Sequence, residues 1–283
     1  MVKQNGELEI QFPNIMKGEK MSKMENCLSL STATTTNKYD FGMEKDMNVD
    51  FNEMIAYALV YANKKETPLT ICEFKELLGV HITTNHTGKM EDMASLSTAC
   101  ICNERCLASM RVAGSICEGC FANRMFKMYN ENFEDCFVDN FKILTSVVIP
   151  YELMPLLNYS IFRYESFGDV ANEIQAENYR RLAVMNPYVT FGWWTKNYDI
   201  VKKVFDKHGK PSNVKLIVSS FMLNEQYKIE DYPYADKIFT VYTKKYLKAH
   251  PEIKINCGKK NKCFACQKCY RDNNIVYINE IKK

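Results

Sequence analysis

The chain has 283 residues, a formal net charge of +3 and 46% apolar residues, enough for one large core or two smaller ones. The sequence contains no run of about 18 apolar residues, so a membrane span is not expected. The first residues also lack the apolar stretch of a secretory signal. We therefore expect a cytoplasmic protein whose 12 cysteines stay reduced, as core residues or as metal ligands.

The N-terminal part of the chain is predicted to be polar and helical. Residues 1–45 show no apolar pattern, and we interpret them as a largely irregular extension. A helix is predicted over Phe51–Asn63. A second helix follows Thr70, because Thr70 and Glu73 match a capping box, and it is predicted to end near Gly79. Residues 1–88 thus form a predicted N-terminal extension.

Beyond Cys117 the sequence predicts one or two helices and then an alternation of short strands and amphipathic helices. Helices are expected over Asn172–Met185 and from Asn197 to Gly209. This order is typical of parallel βαβ units, so residues 89–250 are predicted to form an α/β domain. A partial or full parallel (β/α) barrel and an open sheet all satisfy the crossover rule, and we expect the partial barrel. The predicted strands are Tyr159–Tyr164, Val189–Trp194, Val214–Val218 and Lys237–Tyr242.

Polar residues follow three of the predicted strands. Ligands of parallel α/β folds bind outside the carboxyl ends of the strands, which makes these residues candidates for one binding site. The alternative is that they only make turns and cap the helices that follow. The candidates are Gly168 and Asp169 after the first of these strands, Lys196 after the second, and Ser219 after the third.

The central part of the chain carries a first group of cysteines. Cys117 and Cys120 form a CxxC pair, whose spacer lets both sulfurs face one ion. A lone CxxC is also compatible with a redox pair. Cys106, together with Cys100 and Cys102, adds thiols close by and favours metal ligation.

A second group of four cysteines lies near the C-terminus, and it gives the stronger signal. Cys257, Cys263, Cys266 and Cys269 fall in a polar segment without core periodicity, and their spacing suits zinc or an iron–sulfur cluster. Residues 251–283 are therefore predicted to be a cysteine-rich tail that folds with its metal. The chain from Val241 to Lys283 holds eleven Lys and Arg against three Asp and Glu, a charge that attracts nucleic acid or simply keeps the surface solvated.

Several segments taken together resemble a phage family named after gene product eighty-eight. The resemblance covers Lys89 to Tyr270 and implies a phage or mobile-element origin. The segments that carry it are LSTACICNERC, ICEGCFA, FRYESFGDV, FGWWTKN and the late CxxCxxC.

More distantly, the layout is similar to that of radical S-adenosylmethionine enzymes. That resemblance implies a [4Fe–4S] cluster held by Cys106, Cys117 and Cys120, and a second cluster in the C-terminal group. It further implies that Gly168 and Asp169 bind S-adenosylmethionine. The compact CxxxCxxC of those enzymes is absent, since Cys106 and Cys117 are eleven residues apart.

The leading hypothesis is an iron–sulfur α/β enzyme of this radical type, acting on an unknown substrate. Arg163 and Lys196 are its candidate catalytic residues, and Gly168, Asp169 and Ser219 its candidate cofactor-binding residues. The alternative is a nucleic-acid-binding protein stabilised by zinc or a cluster, without catalysis. A third hypothesis is a phage structural or host-takeover protein whose metals only hold the fold.

Overall fold

The computed structural model describes residues 50–128, 130–258 and 262–282, so the predicted irregular extension and Cys27 lie outside the described residues. Residues 50–282 belong to one compact unit. The described helices are α1 Phe51–Asn63, α2 Ile71–Leu78, α3 Glu104–Ser109, α4 Phe121–Met128, α5 Asn130–Ser146, α6 Glu173–Met185, α7 Tyr198–His208, α8 Lys244–Ala249 and α9 Cys263–Cys266. None of them is long and apolar enough to cross a bilayer.

A single six-stranded sheet organises these helices, and every strand pair in it is parallel. The spatial order of the strands equals their order in the chain. Among the described residues β1 and β6 do not pair with each other, so the sheet stays open there. The strands are β1 Ala94–Leu96, β2 Ile161–Tyr164, β3 Thr190–Thr195, β4 Val214–Ser219, β5 Lys237–Tyr242 and β6 Tyr277–Ile281.

The predicted mixed α/β class with a parallel sheet is confirmed, and the predicted elements match within one or two residues. The capping box of α2 is present, and Gly79 ends that helix in the left-handed conformation at φ 71°. Two strands escaped prediction. β1 spans only three residues, and β6 buries only one of its residues fully, so neither has a clear apolar pattern.

The predicted boundaries near residues 88 and 250 do not separate the core. Ala58 and Phe74, from the predicted extension, lie in the same hydrophobic cluster as Phe162 of β2 and Trp193 of β3. At the other end, β6 belongs to the predicted tail but pairs with β5 over five residues. Helices from one end and a strand from the other therefore complete the same unit.

The two faces of the sheet have different partners, because successive strand residues point to opposite sides. One face carries Phe162, Phe191 and Trp193 into the large core shared with α6 and α7. The opposite face carries Trp194, which contacts Tyr270 of the tail with ring centroids 5.6 Å apart. We call this second side the tail face of the sheet.

Candidate metal centres

The first cysteine group lies in the connection that leaves the carboxyl end of β1. Asn103 caps α3, and its side chain accepts a hydrogen bond from the backbone N–H of Cys106 (3.4 Å). Ser115 caps the short 3₁₀ turn Ile116–Gly119 and so orders Cys117. Cys120 immediately precedes α4. Local capping thus gives each predicted ligand of this group a defined backbone position.

Four of the five thiols in this group share one small hydrophobic cluster, which does not include Cys117. Cys100 is 1% exposed at its centre, whereas Cys102, Cys106 and Cys120 are partly buried and pack against it. The other fully buried members are Ala99, Ala122, Phe126 and Phe137.

Lys196, which follows β3, supplies a positive charge to this group. Burial alone would lower the pKa of Lys196, but Cys117, Asp169 and Cys106 outweigh it and hold that pKa above the ordinary value. Burial raises the pKa of the Cys106 and Cys117 thiols. Binding a metal would therefore release protons.

Cys120 differs from its neighbours because its sulfur is the best stabilised as a thiolate. It accepts a hydrogen bond from the Cys100 thiol, and this interaction does most to lower the pKa of Cys120, to about 6. Burial opposes that effect, and the backbone N–H groups of Asn123 and Ala122 at the start of α4 reinforce it. A thiolate at a helix N-terminus is a ready metal ligand.

The predicted cofactor-binding pair Gly168 and Asp169 lies next to this group. The Asp169 carboxylate accepts hydrogen bonds from Thr195 Oγ1 (2.6 Å) and from the backbone N–H of Lys196 (2.8 Å). Asp169 is 8% exposed, and its carboxylate ties the end of β2 to the end of β3. These contacts hold the segments after β2 and β3 together.

Glu165, the residue after β2, is a buried carboxyl group at the same edge. It accepts hydrogen bonds from Thr98 Oγ1 (2.8 Å), Gln175 Nε2 (2.6 Å) and the Tyr179 hydroxyl (2.6 Å). Burial raises its pKa to about 7, against the lowering effect of these donors. Glu165 therefore fixes the start of the cysteine loop through Thr98.

The second cysteine group lies on the tail face. Its four cysteines line one pocket together with Lys89, Trp194 and Tyr270. Cys257 is held beside β6 by a backbone hydrogen bond from its N–H to the carbonyl of Asn279 (3.0 Å). Burial raises the pKa of Cys269 to about 12. The four predicted ligands thus line the same pocket, although α9 lies between Cys257 and Cys269 in the chain.

The structure separates the two predicted catalytic residues. Lys196 faces the first cysteine group, whereas the charge of Arg163 acts on Cys263 and Cys269 of the second. Arg163 also stacks on Trp194, with its guanidinium carbon 4.1 Å from the ring centroid. Ser219 ends β4 and is buried. Lys196 and Arg163 therefore belong to two different centres.

The chemistry of both groups fits a thiophilic metal. No disulfide joins two of the described cysteines, and thiolates are the ligands of structural zinc and of iron–sulfur clusters. Within the described part of the chain, no group of three or more His, Cys, Asp or Glu side chains is already arranged to hold an ion. A Cys sulfur moves by rotation about one bond, so ligation requires thiol rotation and proton loss.

Some contacts of these centres have no signature in the sequence. Thr98, Gln175 and Tyr179 surround Glu165 but are scattered along the chain. Lys89 reaches Cys257 from a position 168 residues away. Cys100, which interacts with Cys120, did stand out beforehand as part of a cysteine-rich stretch.

The function of this chain is argued from the features of its own sequence and structure. Comparison with protein-family models, with curated proteins and with solved structures finds no match.

Proposed function

We propose that the protein is an iron–sulfur enzyme of the radical S-adenosylmethionine type. The first cysteine group would hold a [4Fe–4S] cluster through Cys106, Cys117 and Cys120. The observation that carries the proposal is the position of this group at the carboxyl edge of a parallel sheet, in the connection directly after β1, where Arg105 of α3 donates a hydrogen bond to the carbonyl of Lys196. Cys106 lies in α3 and Cys117 in the 3₁₀ turn Ile116–Gly119, so both flank the same short connection.

The proposal includes a curved sheet, a partial barrel. Right-handed crossovers that always advance in the same direction place all connecting helices on one side of a sheet. The strand order β1 to β6 follows the chain without reversal, which supports this arrangement. The tail face would then be the inner side of the barrel, and Trp194 and Tyr270 would fill it.

In this mechanism the cluster, when bound, supplies the electron that cleaves the sulfonium of S-adenosylmethionine. The chain's own residues bind, orient and exclude water. Lys196 neutralises negative charge beside the cysteines, and Asp169 keeps the Lys196 backbone in place. Ser219 would offer a hydroxyl from the end of β4. The hydrophobic cluster around Cys100 shields the sulfurs from solvent.

Metal analysis of the anaerobically purified chain tests the proposal. We expect iron with matching acid-labile sulfide, a visible spectrum bleached by dithionite, and release of 5′-deoxyadenosine from S-adenosylmethionine. Cys117→Ser should lose about four irons and all cleavage. Cys72→Ser, which removes a thiol of α2 outside both groups, is the matched control. Zinc without sulfide in a colourless protein would rule out the radical mechanism.

A second candidate function is nucleic-acid binding by a metal-stabilised protein. It is favoured by α8, where Lys244, Lys245 and Lys248 are exposed on one short helix. Replacing these three lysines by Gln should weaken binding to single-stranded DNA and flatten its dependence on salt, because each phosphate contact contributes to the slope. Binding that is unchanged by this triple substitution would exclude α8 as the contact surface.

A further inference from the structure

Lys89 connects the N-terminal side of the sheet to the second cysteine group. It lies in the 3₁₀ turn Gly88–Met90, just before β1. Its Nζ lies 3.1 Å from the sulfur of Cys257 and 3.1 Å from Oε1 of Glu280 in β6. The ammonium group therefore donates directly to one of the four sulfurs, and Glu280 holds it in that position.

Arg163 supplies a second positive charge from the tail face of β2. Its guanidinium stacks on Trp194, which itself lines the pocket of the four cysteines. The Nε atom of Arg163 is buried without a hydrogen-bond partner. Among the described residues, no carboxylate lies within ion-pair distance of Arg163 (the ion pairs there involve other cations).

Arg163 is partly buried, and a cation that has lost part of its hydration without gaining a carboxylate partner is costly unless another negative group offsets its charge. Its stacking partner Trp194 lines the pocket of the four cysteines, so the sulfurs of that pocket are candidates for the missing negative charge. As neutral thiols they offer little compensation. As four metal-bound thiolates, on zinc or on an iron–sulfur cluster, the group would carry a net charge of about minus two.

We propose that Lys89 and Arg163 are positioning residues of the second cysteine group: two cations that stabilise its sulfurs as thiolates and thereby set its metal affinity. The inference goes beyond the proposed function, because it assigns a metal to the second group as well. It moves Arg163 from the predicted catalytic role at the strand ends to the support of a tetrathiolate site. Outer contacts of this kind typically change metal affinity by about 10- to 100-fold.

The affinity of this group for zinc tests the inference in the full chain. Cys106, Cys117 and Cys120 are first replaced by Ser, so that the first group no longer binds. Zinc affinity is then measured by competition with a chromophoric chelator. We expect Lys89→Met and Arg163→Met each to lower the affinity by about 10-fold or more, and Arg163→Lys to restore most of the loss.

Lys262→Met is the matched control, because the Lys262 ammonium also links the tail to the turn before β1. It pairs with Glu91 (2.6 Å) rather than with a sulfur, so zinc affinity should stay unchanged. Co²⁺ in place of zinc should show thiolate charge-transfer bands of equal intensity in all variants at saturation, because all four sulfurs remain.

Two results would overturn the inference. One is a zinc affinity of Arg163→Met and Lys89→Met equal to that of the parent chain. The other is an equal loss in Lys262→Met, which would mean that any weakening of the tail has this effect. If the parent chain binds no metal at its second group, the inference also fails. Iron and sulfide in the first group of the unsubstituted chain would still support the proposed enzyme.

Discussion

Gly168 lies where a side chain would collide with two neighbours at once. A Cβ atom there would be 2.6 Å from Oε2 of Glu165 and 2.6 Å from the backbone carbonyl of Thr98. Thr98 stands two residues before Cys100, so this close packing connects the end of β2 to the start of the cysteine loop. The physical requirement for glycine here is close approach, in addition to any role in binding a cofactor.

Replacing Gly168 by Ala should therefore both destabilise the protein and disturb the first cysteine group. We expect a loss of about 1–3 kcal/mol in the free energy of unfolding, measured by urea denaturation, and a lower iron content. Gly119→Ala is the control, because a Cβ at Gly119, between Cys117 and Cys120, meets nothing within 4 Å. Equal stability of the two variants would contradict the packing argument.

Glu165 gives stability a pH dependence of predictable sign. Its pKa is raised from 4.5 to about 7 by burial, so the folded chain holds this proton more tightly than the unfolded chain. The free energy of unfolding should fall as pH rises through the window between these two values. At about 1.4 kcal/mol per pKa unit, the fall is about 3 kcal/mol at most.

Glu165→Gln removes this titration, so its stability curve should be flatter across the same pH window. The Gln carbonyl can take the place of Oε1, which accepts from Thr98 Oγ1, Gln175 and Tyr179, but the amide NH₂ then faces the backbone N–H of Thr98, which donates to Oε2 (3.1 Å), so we expect the variant to be less stable. The slope of the free energy of unfolding against pH, from urea denaturation, is therefore the informative quantity. A Glu165→Gln slope as steep as that of the parent would assign the dependence to other groups.

At the scale of elements, the tail is a structural part of the sheet as well as a carrier of cysteines. β6 pairs with β5 and buries Ile278. The Tyr270 ring fills the space above Gly192, where an added Cβ would lie 2.5 Å from a ring carbon of Tyr270. Lys237 of β5 donates to Asn273 Oδ1 (2.9 Å) and to the carbonyl of Ile275 (2.7 Å), so the tail also satisfies a buried cation.

Truncation after His250 should consequently destabilise the whole unit, because it uncovers the tail face and one edge of β5. We expect a large drop in melting temperature, followed by far-ultraviolet circular dichroism, and faster amide exchange in β5. The full-length Cys263→Ser/Cys266→Ser variant is the comparison, since it removes two ligands but keeps β6. An unchanged melting temperature after truncation would instead mark residues 251–283 as an independent module.

At the scale of the whole molecule, the sheet keeps the two cysteine groups apart. The first lies at the carboxyl edge, among residues that follow β1, β2 and β3. The second lies on the tail face, where the turn before β1 meets the tail that contains β6. Each group has its own cation, Lys196 for the first and Lys89 for the second. The arrangement favours two separate centres over one joint site.

The sequence by itself determined the α/β class, most helices and strands, and the two groups of cysteines. Local signals sufficed for these, such as the capping box at Thr70 and the apolar stripe of α7. Only the tertiary structure decided that β6 completes the sheet and that Lys196 and Arg163 serve different groups. Those relations join residues far apart in the chain, as Lys89 and Cys257 do, and no local periodicity or spacing encodes such contacts.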